Sequence, residues 1–240
     1  MRLAVVSDIH GNFTALDAVV ADLRMVSPDL VVHGGDLVGN GSQPAEVIDR
    51  IRDLDWPGVQ GNTDEMLWRP ERLTALAEQV PQLKALMDII GVMAQACTAA
   101  IGDERLAWLQ RLPLQWSDHS VAIVHASPGD PWRAPMPNAP DEELLKVYEP
   151  LKAPRVAYGH VHVPYVRSLP SLTVANSGSV GLPYDGDPRA SYLVLDDQGV
   201  AVRRVAYDVE REIAELSVRK IPHADWLAAM LRSGRYQPPA

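Results

Sequence analysis

Short apolar runs that stop abruptly at polar residues recur along the chain and predict the strands of a sheet. The first run, Leu3 to Val6, ends in the polar residues of positions 7–12, and the second begins at Leu30 and ends in Gly35-Asp36. An apolar run bounded by turn-forming residues is typical of a buried parallel strand. Apolar residues at helical spacing lie between the two runs and predict a helix over residues 13–25. A right-handed strand, helix, strand unit follows from this order.

The same patterns predict most of the remaining elements. Three further strand ends carry polar side chains, after Val59, after Val121 and after Arg155, and a fourth such segment begins at Leu172. A hairpin is predicted across Asp197-Gln198-Gly199. Further helices are expected over residues 43–54, 141–151, 209–218 and 224–231.

Residues of about 65 to 113 differ in character because they are rich in Ala, Leu, Gln and Met. We expect a helical insertion of two or three helices that break near Pro81, Gly91 and Gly102. The proline-rich segment 128–140 is expected to be an exposed loop. Together the two segments would shape any pocket.

Composition narrows the class of protein. The 240 residues include 47% hydrophobic residues, enough for a substantial core, and we expect one domain over residues 1–240. The single cysteine, Cys97, excludes an intrachain disulfide and a cysteine-based zinc site. No signal peptide and no apolar run long enough to span a membrane is recognised, so we expect a cytoplasmic enzyme without a membrane partner.

The formal net charge of −9 does not favour nucleic acid as a main partner, because an acidic chain does not attract a polyanion. The same acidity fits a phosphate-ester enzyme only where local cations offset it. This directs attention to residues that could bind metal ions.

Oxygen and imidazole side chains gather at or just beyond the predicted strand ends. Side chains two apart on an extended segment point the same way, and open α/β sheets usually hold ligands at the carboxyl ends of their strands. Such mixed donors suit Mn²⁺, Fe or Zn²⁺, and two metals about 3.5–4 Å apart that share one carboxylate would use all of them. The candidates are Asp8, His10, Asp36, Asn62, His125, His160 and His162.

Taken in order, these motifs resemble those of the calcineurin-like metallophosphoesterases. The resemblance rests on Asp8-Ile9-His10-Gly11-Asn12, Gly35-Asp36, Gly61-Asn62, His125 and Gly159-His160-Val161-His162. It extends from Arg2 to about Tyr207 and is strongest for the compact bacterial and archaeal phosphodiesterase branch. It implies an α/β fold: a four-layer αββα sandwich of two mixed β-sheets flanked by helices, with the helical insertion at about 65–113.

The resemblance also implies a role for each ligand. Asp8, His10 and His162 would hold the first metal, Asn62, His125 and His160 the second, and Asp36 would bridge them. A hydroxide between two divalent ions, with manganese favoured over iron or zinc, would attack phosphorus. Asn62 would bind and stabilise the phosphoryl oxygens, and Asn12 would contact substrate or order the first loop.

One residue departs from the family pattern. The family usually has His after Gly-Asn, where it helps to protonate the leaving group, and this chain has Thr63. A threonine hydroxyl is a poor acid, so Thr63 is a weak catalytic candidate and a preference for esters with good leaving groups is expected. Asp64 is a second weak candidate, expected to orient a neighbouring side chain.

The leading interpretation is therefore a dinuclear metal phosphoesterase, a hydrolase of a phosphodiester or a small phosphomonoester. A non-catalytic metal-binding scaffold of the same fold is the alternative, and only Thr63 favours it. A nuclease is disfavoured because no basic, aromatic-rich stripe is present. Exposed apolar residues of the helical insertion could form the interface of a homodimer.

Overall fold

The computed structural model describes residues 1–239, which form nine strands and eight α-helices. Short 3₁₀ turns lie at Pro81–Leu83 and Glu149–Leu151. In chain order the elements are β1 (Leu3–Val6), α1 (Phe13–Val26), β2 (Leu30–His33), α2 (Pro44–Asp53), α3 (Asn62–Glu65), α4 (Glu71–Gln79), α5 (Lys84–Leu109), β3 (Gln115–Ser117), β4 (Ala122–Val124), α6 (Asp141–Tyr148), β5 (Arg155–Tyr158), β6 (Tyr165–Ser168), β7 (Thr173–Asn176), β8 (Ala190–Asp196), β9 (Gly199–Val205), α7 (Val209–Val218) and α8 (Ala224–Ser233).

The strands form two mixed sheets. The first has the order β2-β1-β8-β9, with β1 parallel to β2 and antiparallel to β8. The second has the order β3-β4-β5-β7-β6, with β4, β5 and β7 parallel. Six of the seven candidate ligands follow β1, β2, β4 and β5, so the carboxyl ends of parallel strands deliver them to one region, and Asn62 joins them from the start of α3.

Alternation along β1 shows how the layers pack. Leu3 and Val5 point into a core between the two sheets, and Ala4 and Val6 point into the core beneath α1, α2 and α5. A third core lies between the second sheet and α6. The order helix, sheet, sheet, helix confirms the predicted four-layer αββα sandwich.

The predicted set of strands needs correction at three places. The segment after Val59 is not a named strand: one parallel bridge joins Gly58 to His33, and Asn62 already begins α3. The edge strands β3 and β6 were not predicted, because each is three or four residues long and flanked by prolines or polar residues that hide the alternating pattern. Both lie at sheet edges, where pattern signals are weakest.

Residues 65–113, the span of the predicted helical insertion, contain α4 and α5, and α3 ends at its first residue, Glu65. The predicted breaks are confirmed at Pro81 and at Gly102, which interrupts α5 with φ of 72°, whereas Gly91 lies inside the helix. The segment Pro81–Leu109 is long and apolar enough by composition to cross a membrane, with 28% of its apolar window buried, so the expectation that no segment reaches this length is wrong. An apolar groove of about 880 Å³ lies between α4 and α5.

His33 supplies a testable property of the fold. Its ring is fully buried against Gly58 and Trp108, and neither ring nitrogen has a hydrogen-bond partner among residues 1–239. Burial lowers the pKa of His33 to about 3, and the nearby backbone of Val59 offsets this only in part.

Because the folded-state pKa of His33 is depressed, the unfolded chain binds more protons between about pH 3 and pH 6.5, and stability is lost as pH falls through this window. We expect His33→Leu to reduce the acid sensitivity of the metal-stripped protein by up to about 1.4 kcal/mol per pH unit. Urea unfolding at several pH values measures how the free energy of unfolding depends on pH. The exposed His119→Leu serves as control, and equal slopes for wild type and His33→Leu would contradict this account.

Candidate metal centre

The loop after β1 carries its ligands in a left-handed backbone conformation. Asp8 and His10 have φ of 56° and 54°. Their amides donate to the carbonyl oxygens of Gly35 (3.0 Å) and Asp36 (2.9 Å) in the loop after β2. The two side chains do converge, but the predicted cause, a continued extended strand, is wrong: the strand ends at Val6 and the kinked loop turns both side chains inward.

Left-handed backbone is concentrated at the centre. Of the ten non-glycine residues with positive φ in the described chain, five are candidate ligands: Asp8, His10, Asp36, His160 and His162. Such conformations cost about 1 kcal/mol or more each and persist where surrounding contacts fix them. Their concentration here is typical of a functional site.

One group of ligands gathers around the ends of two imidazoles. The Nε2 atoms of His10 and His162 lie 3.0 Å apart, and Asp8 Oδ1 lies 3.1 Å from His162 Nε2. Together with Asp36, these buried side chains offer ligand atoms that all lie within 4.8 Å of one another. Oxygen and imidazole donors converging at this spacing fit a divalent metal ion.

A second group converges beside the first. Asn62 Oδ1 lies 2.9 Å from His125 Nε2 and 2.8 Å from His160 Nδ1. Asn62 is the first residue of α3, and His160 follows β5. An amide oxygen and two imidazoles directed at one point have the donor chemistry of a second metal site.

Asp36 lies between the two groups. Its Oδ2 is 3.7 Å from His10 Nε2, and its Oδ1 is 3.4 Å from His125 Nε2. The structure therefore brings all seven predicted ligands into one continuous cluster.

Backbone carbonyls orient the ligand rings. His125 Nδ1 faces Gly34 O at 2.8 Å, and His162 Nδ1 faces Leu182 O. When Nδ1 donates to a carbonyl, the lone pair of Nε2 is left for a metal, which is how outer partners commonly fix such rings.

Two neighbours of the ligands were not identified from the sequence. Asn40 Nδ2 lies 3.4 Å from His10 Nδ1. Tyr184 stacks on the His162 ring, with centroids 4.5 Å apart and planes at 18°. Both lie in loops whose composition predicts only a turn, so no sequence pattern singled them out.

Burial and mutual charge set the protonation of the centre. Burial lowers the pKa of His10 and His160, the latter to about 3, and nearby imidazoles lower both further. Burial opposes ionisation of Asp8, but His162 and other imidazoles hold its pKa well below the usual value. Burial and the Asp8 charge raise the pKa of Asp36. For His10, His160 and Asp8 these shifts favour the neutral imidazole and the ionised carboxylate that metal binding requires. His125 differs, because its burial is outweighed by the Asp36 and Asp8 charges, which raise its pKa.

Thr63 and Asp64 connect the ligand loops. Thr63 N donates to Asp36 Oδ1 (2.8 Å), and its hydroxyl donates to Val38 O (2.7 Å). The buried Asp64 carboxylate accepts from the amides of Gly61, Leu37 and Val38. Burial and the Asp36 charge raise the pKa of Asp64. All three partners of Asp64 are backbone amides, so it holds the ligand loops together, whereas the sequence led us to expect that it orients a neighbouring side chain.

Asn12 lies behind the first loop. Its Oδ1 caps α1 by accepting from Ala15 N (2.9 Å), and its Nδ2 donates to Gly181 O (3.0 Å). The amides of Val180 and Gly181 donate in turn to Ser7 O and Asp8 O. Asn12 thus has the contacts of a residue that orders the first loop, and its amide groups are engaged within the chain.

Comparisons with known proteins agree with this geometry. The model of the calcineurin-like phosphoesterase superfamily domain matches residues 1–199. The uncharacterised protein MJ0912 of Methanocaldococcus jannaschii is 30% identical, over 97% of this chain and 98% of its own. Phosphodiesterase YfcE of Escherichia coli K12 is 24% identical, over 91% and 98%. A crystal structure of a metallophosphoesterase from Sphaerobacter thermophilus superposes with a TM-score of 0.78 at 27% identity, covering 98% of this chain and 99% of that one.

Proposed function

Because the chain belongs to the calcineurin-like phosphoesterase superfamily, we propose that it is a dinuclear metal phosphoesterase that hydrolyses a phosphodiester or a small phosphomonoester. The phosphodiesterase name of the YfcE relative supports the choice of an ester of phosphate. The proposal that two cations take part in hydrolysis goes beyond the family assignment and rests on the geometry of the candidate ligands.

The observation that carries this proposal is the position of Asp36. One carboxylate oxygen faces His10 of the first group and the other faces His125 of the second. A carboxylate that turns its two oxygens toward two separate sets of donors has the arrangement that a shared ligand of two ions requires.

The residues would divide the work as follows. Asp8, His10 and His162 would hold one ion, Asn62, His125 and His160 the other, and Asp36 both. When bound, two divalent cations supply the positive charge that activates water and stabilises phosphoryl oxygens. The Asn62 amide Nδ2 has no partner among residues 1–239 and would donate to a phosphoryl oxygen of the substrate.

Turnover of two aryl esters tests the proposal. Metal-stripped protein is assayed on bis-(p-nitrophenyl) phosphate and p-nitrophenyl phosphate, with and without added Mn²⁺. We expect hydrolysis only with metal, and the ratio of the two rates distinguishes diesterase from monoesterase. Bound metal without turnover of either ester would favour the scaffold alternative.

The leaving group offers a further prediction at Thr63. Its hydroxyl already donates to Val38 O, so it has no proton to offer an alkoxide. We expect Thr63→His to raise turnover of glycerol 3-phosphate by about 10²-fold or more, the lower range of general acid catalysis. Turnover of p-nitrophenyl phosphate should change by less than about threefold because p-nitrophenolate needs no proton to leave.

Phosphate and p-nitrophenol release measure the two reactions. Thr63→Val is the control because it removes the hydroxyl without adding an acid. An alkyl-ester rate in Thr63→His equal to that of wild type would show that this position does not limit leaving-group protonation.

The metal, the oligomeric state, the location and the partner are finer parts of this proposal. The oxygen and imidazole donors suit Mn²⁺, Fe or Zn²⁺, and among these manganese is proposed as the first choice. The apolar groove between α4 and α5 supports the proposal of a homodimer through the helical insertion. A cytoplasmic location and a small phosphate ester as the partner stay predictions from the sequence.

A further inference from the structure

A pair of arginines beside the second ligand group has no role in the proposed hydrolysis. Arg69 and Arg72 follow α3, the short helix that begins with Asn62, and both are part exposed, with 47% and 39% of their side-chain surface accessible. Both contact Glu65, which is three residues beyond Asn62 and whose side chain is 7% exposed. We call Glu65, Arg69, Arg72 and Trp132 the arginine platform.

Contacts to the buried Glu65 carboxylate hold the platform together beside the metal centre. The Glu65 carboxylate accepts from Arg69 Nη1 (3.1 Å), from Arg72 Nε (3.5 Å) and from the indole Nε1 of Trp132. Residues three apart on a helix are neighbours, so Glu65 lies next to Asn62. On the other side, the Trp132 backbone faces the His160 imidazole. The platform therefore borders the edge of the centre formed by Asn62 and His160.

Arg72 is oriented by its neighbours but keeps hydrogen-bond donors without a partner among residues 1–239. Its guanidinium carbon lies 5.7 Å from the centroid of the Trp132 ring, and Glu65 engages only its Nε. Within residues 1–239 neither terminal nitrogen of Arg72 has a hydrogen-bond partner. Arg69 is more occupied because Glu71 accepts from its Nε (3.2 Å). A part-exposed guanidinium with two free nitrogens, placed by Glu65 and Trp132, is suited to bidentate binding of a phosphate.

We propose that the arginine platform binds a second phosphate group of the substrate, beyond the phosphorus that is attacked. The proposal rests on the proposed function for its scissile site and adds the substrate class: phosphate esters that carry another phosphate on the same molecule. Trp132 and Glu65 are positioning residues in this account, and Arg72 supplies the main contact.

Two chromogenic substrates that differ by one phosphate test the proposal. They are the p-nitrophenyl ester of thymidine 5′-phosphate and the same ester carrying a 3′-phosphate. We expect wild type to show a KM at least about tenfold lower for the 3′-phosphorylated ester, the gain of one charge-assisted bidentate contact. In Arg72→Gln this ratio should fall to near one, through KM rather than kcat.

Arg24→Gln is the matched control. Arg24 lies in the last turn of α1, about 20 Å along the helix from the ligand loop. Its replacement by glutamine removes the same positive charge as Arg72→Gln. Its ratio should equal that of wild type, whereas a purely general field effect would lower the ratio in both variants. A KM ratio near one in wild type, or an unchanged KM ratio in Arg72→Gln, would contradict the proposal that the platform binds a phosphate.

Calorimetry separates this test from the proposed function. Thymidine 3′,5′-bisphosphate and thymidine 5′-phosphate are titrated into metal-loaded protein, and the bisphosphate should bind about tenfold more tightly in wild type only. If wild type hydrolyses neither ester, the proposed function fails and the binding ratio still decides the platform. Equal affinities for the two nucleotides would refute the platform even with active enzyme.

Discussion

Asp36→Asn is expected to lower kcat/KM for bis-(p-nitrophenyl) phosphate by at least about 10³-fold, which corresponds to about 4 kcal/mol of transition-state stabilisation. The Asp36 oxygens face His10 and His125, so an amide there replaces one charged donor oxygen by an NH₂ group that repels cations. Thr63 N can still donate to the remaining oxygen, and the side-chain volume is unchanged. The loss should therefore come from the metal centre rather than from unfolding.

Initial rates at saturating Mn²⁺ measure this effect, and a urea melt checks the fold. Asp49→Asn is the control because Asp49 lies on α2, is paired with Arg105 and loses the same charge at the surface. If Asp36→Asn retains more than a tenth of wild-type activity, Asp36 is not essential to the proposed mechanism.

Gly61→Ala is expected to cost about 10²-fold in kcat/KM, the penalty typical of misplacing reacting groups by about 1 Å. A Cβ atom at Gly61 would overlap Asp36 Oδ1 and the Asp36 backbone nitrogen. The φ of Gly61 is −104°, so the requirement for glycine is space and not backbone conformation. Metal affinity should fall by about 10- to 100-fold because the shared carboxylate is displaced.

Mn²⁺ titration and initial rates measure both effects. Gly91→Ala is the matched control, since Gly91 lies within α5 and a Cβ there meets only Leu73 Cδ1 of α4, at 4.0 Å. That substitution should leave metal affinity unchanged and stabilise the protein by about 0.5–1 kcal/mol, because alanine is the better helix former. Wild-type metal affinity in Gly61→Ala would show that the close approach to Asp36 is not needed.

The sequence predicted which side chains gather at the candidate metal centre more reliably than it predicted the backbone that presents them. Asp8, His10, His160 and His162 were identifiable because ligand-type side chains follow apolar runs. Their left-handed φ values were not, since those depend on bonds between loops far apart in the chain, such as Asp8 N to Gly35 O. Asn62 was identified for the same reason as the others, although the strand expected before it proved to be one bridge and a helix start.

The residues that contact the candidate ligands from behind could not be predicted from the sequence, for a related reason. Tyr184 lies 22 residues after His162 and stacks on it, and Trp132 reaches Glu65 across 67 residues. Contacts of this kind arise from how loops dock on the finished sandwich, and no local periodicity reports them. The α/β class and the helical insertion were predictable because apolar spacing is a local property of the chain.

The most direct test of the central claim is the metal content of the protein. Metal-stripped chain is loaded with Mn²⁺, freed of excess ion, and measured by elemental analysis and electron paramagnetic resonance. The account predicts that wild type binds two Mn²⁺ ions per chain and that its spectrum shows spin coupling between them. The Asp36→Asn variant should bind fewer than two ions per chain, and its spectrum should show no coupling. One uncoupled ion per wild-type chain, or none, would contradict the shared role of Asp36 and with it the dinuclear centre.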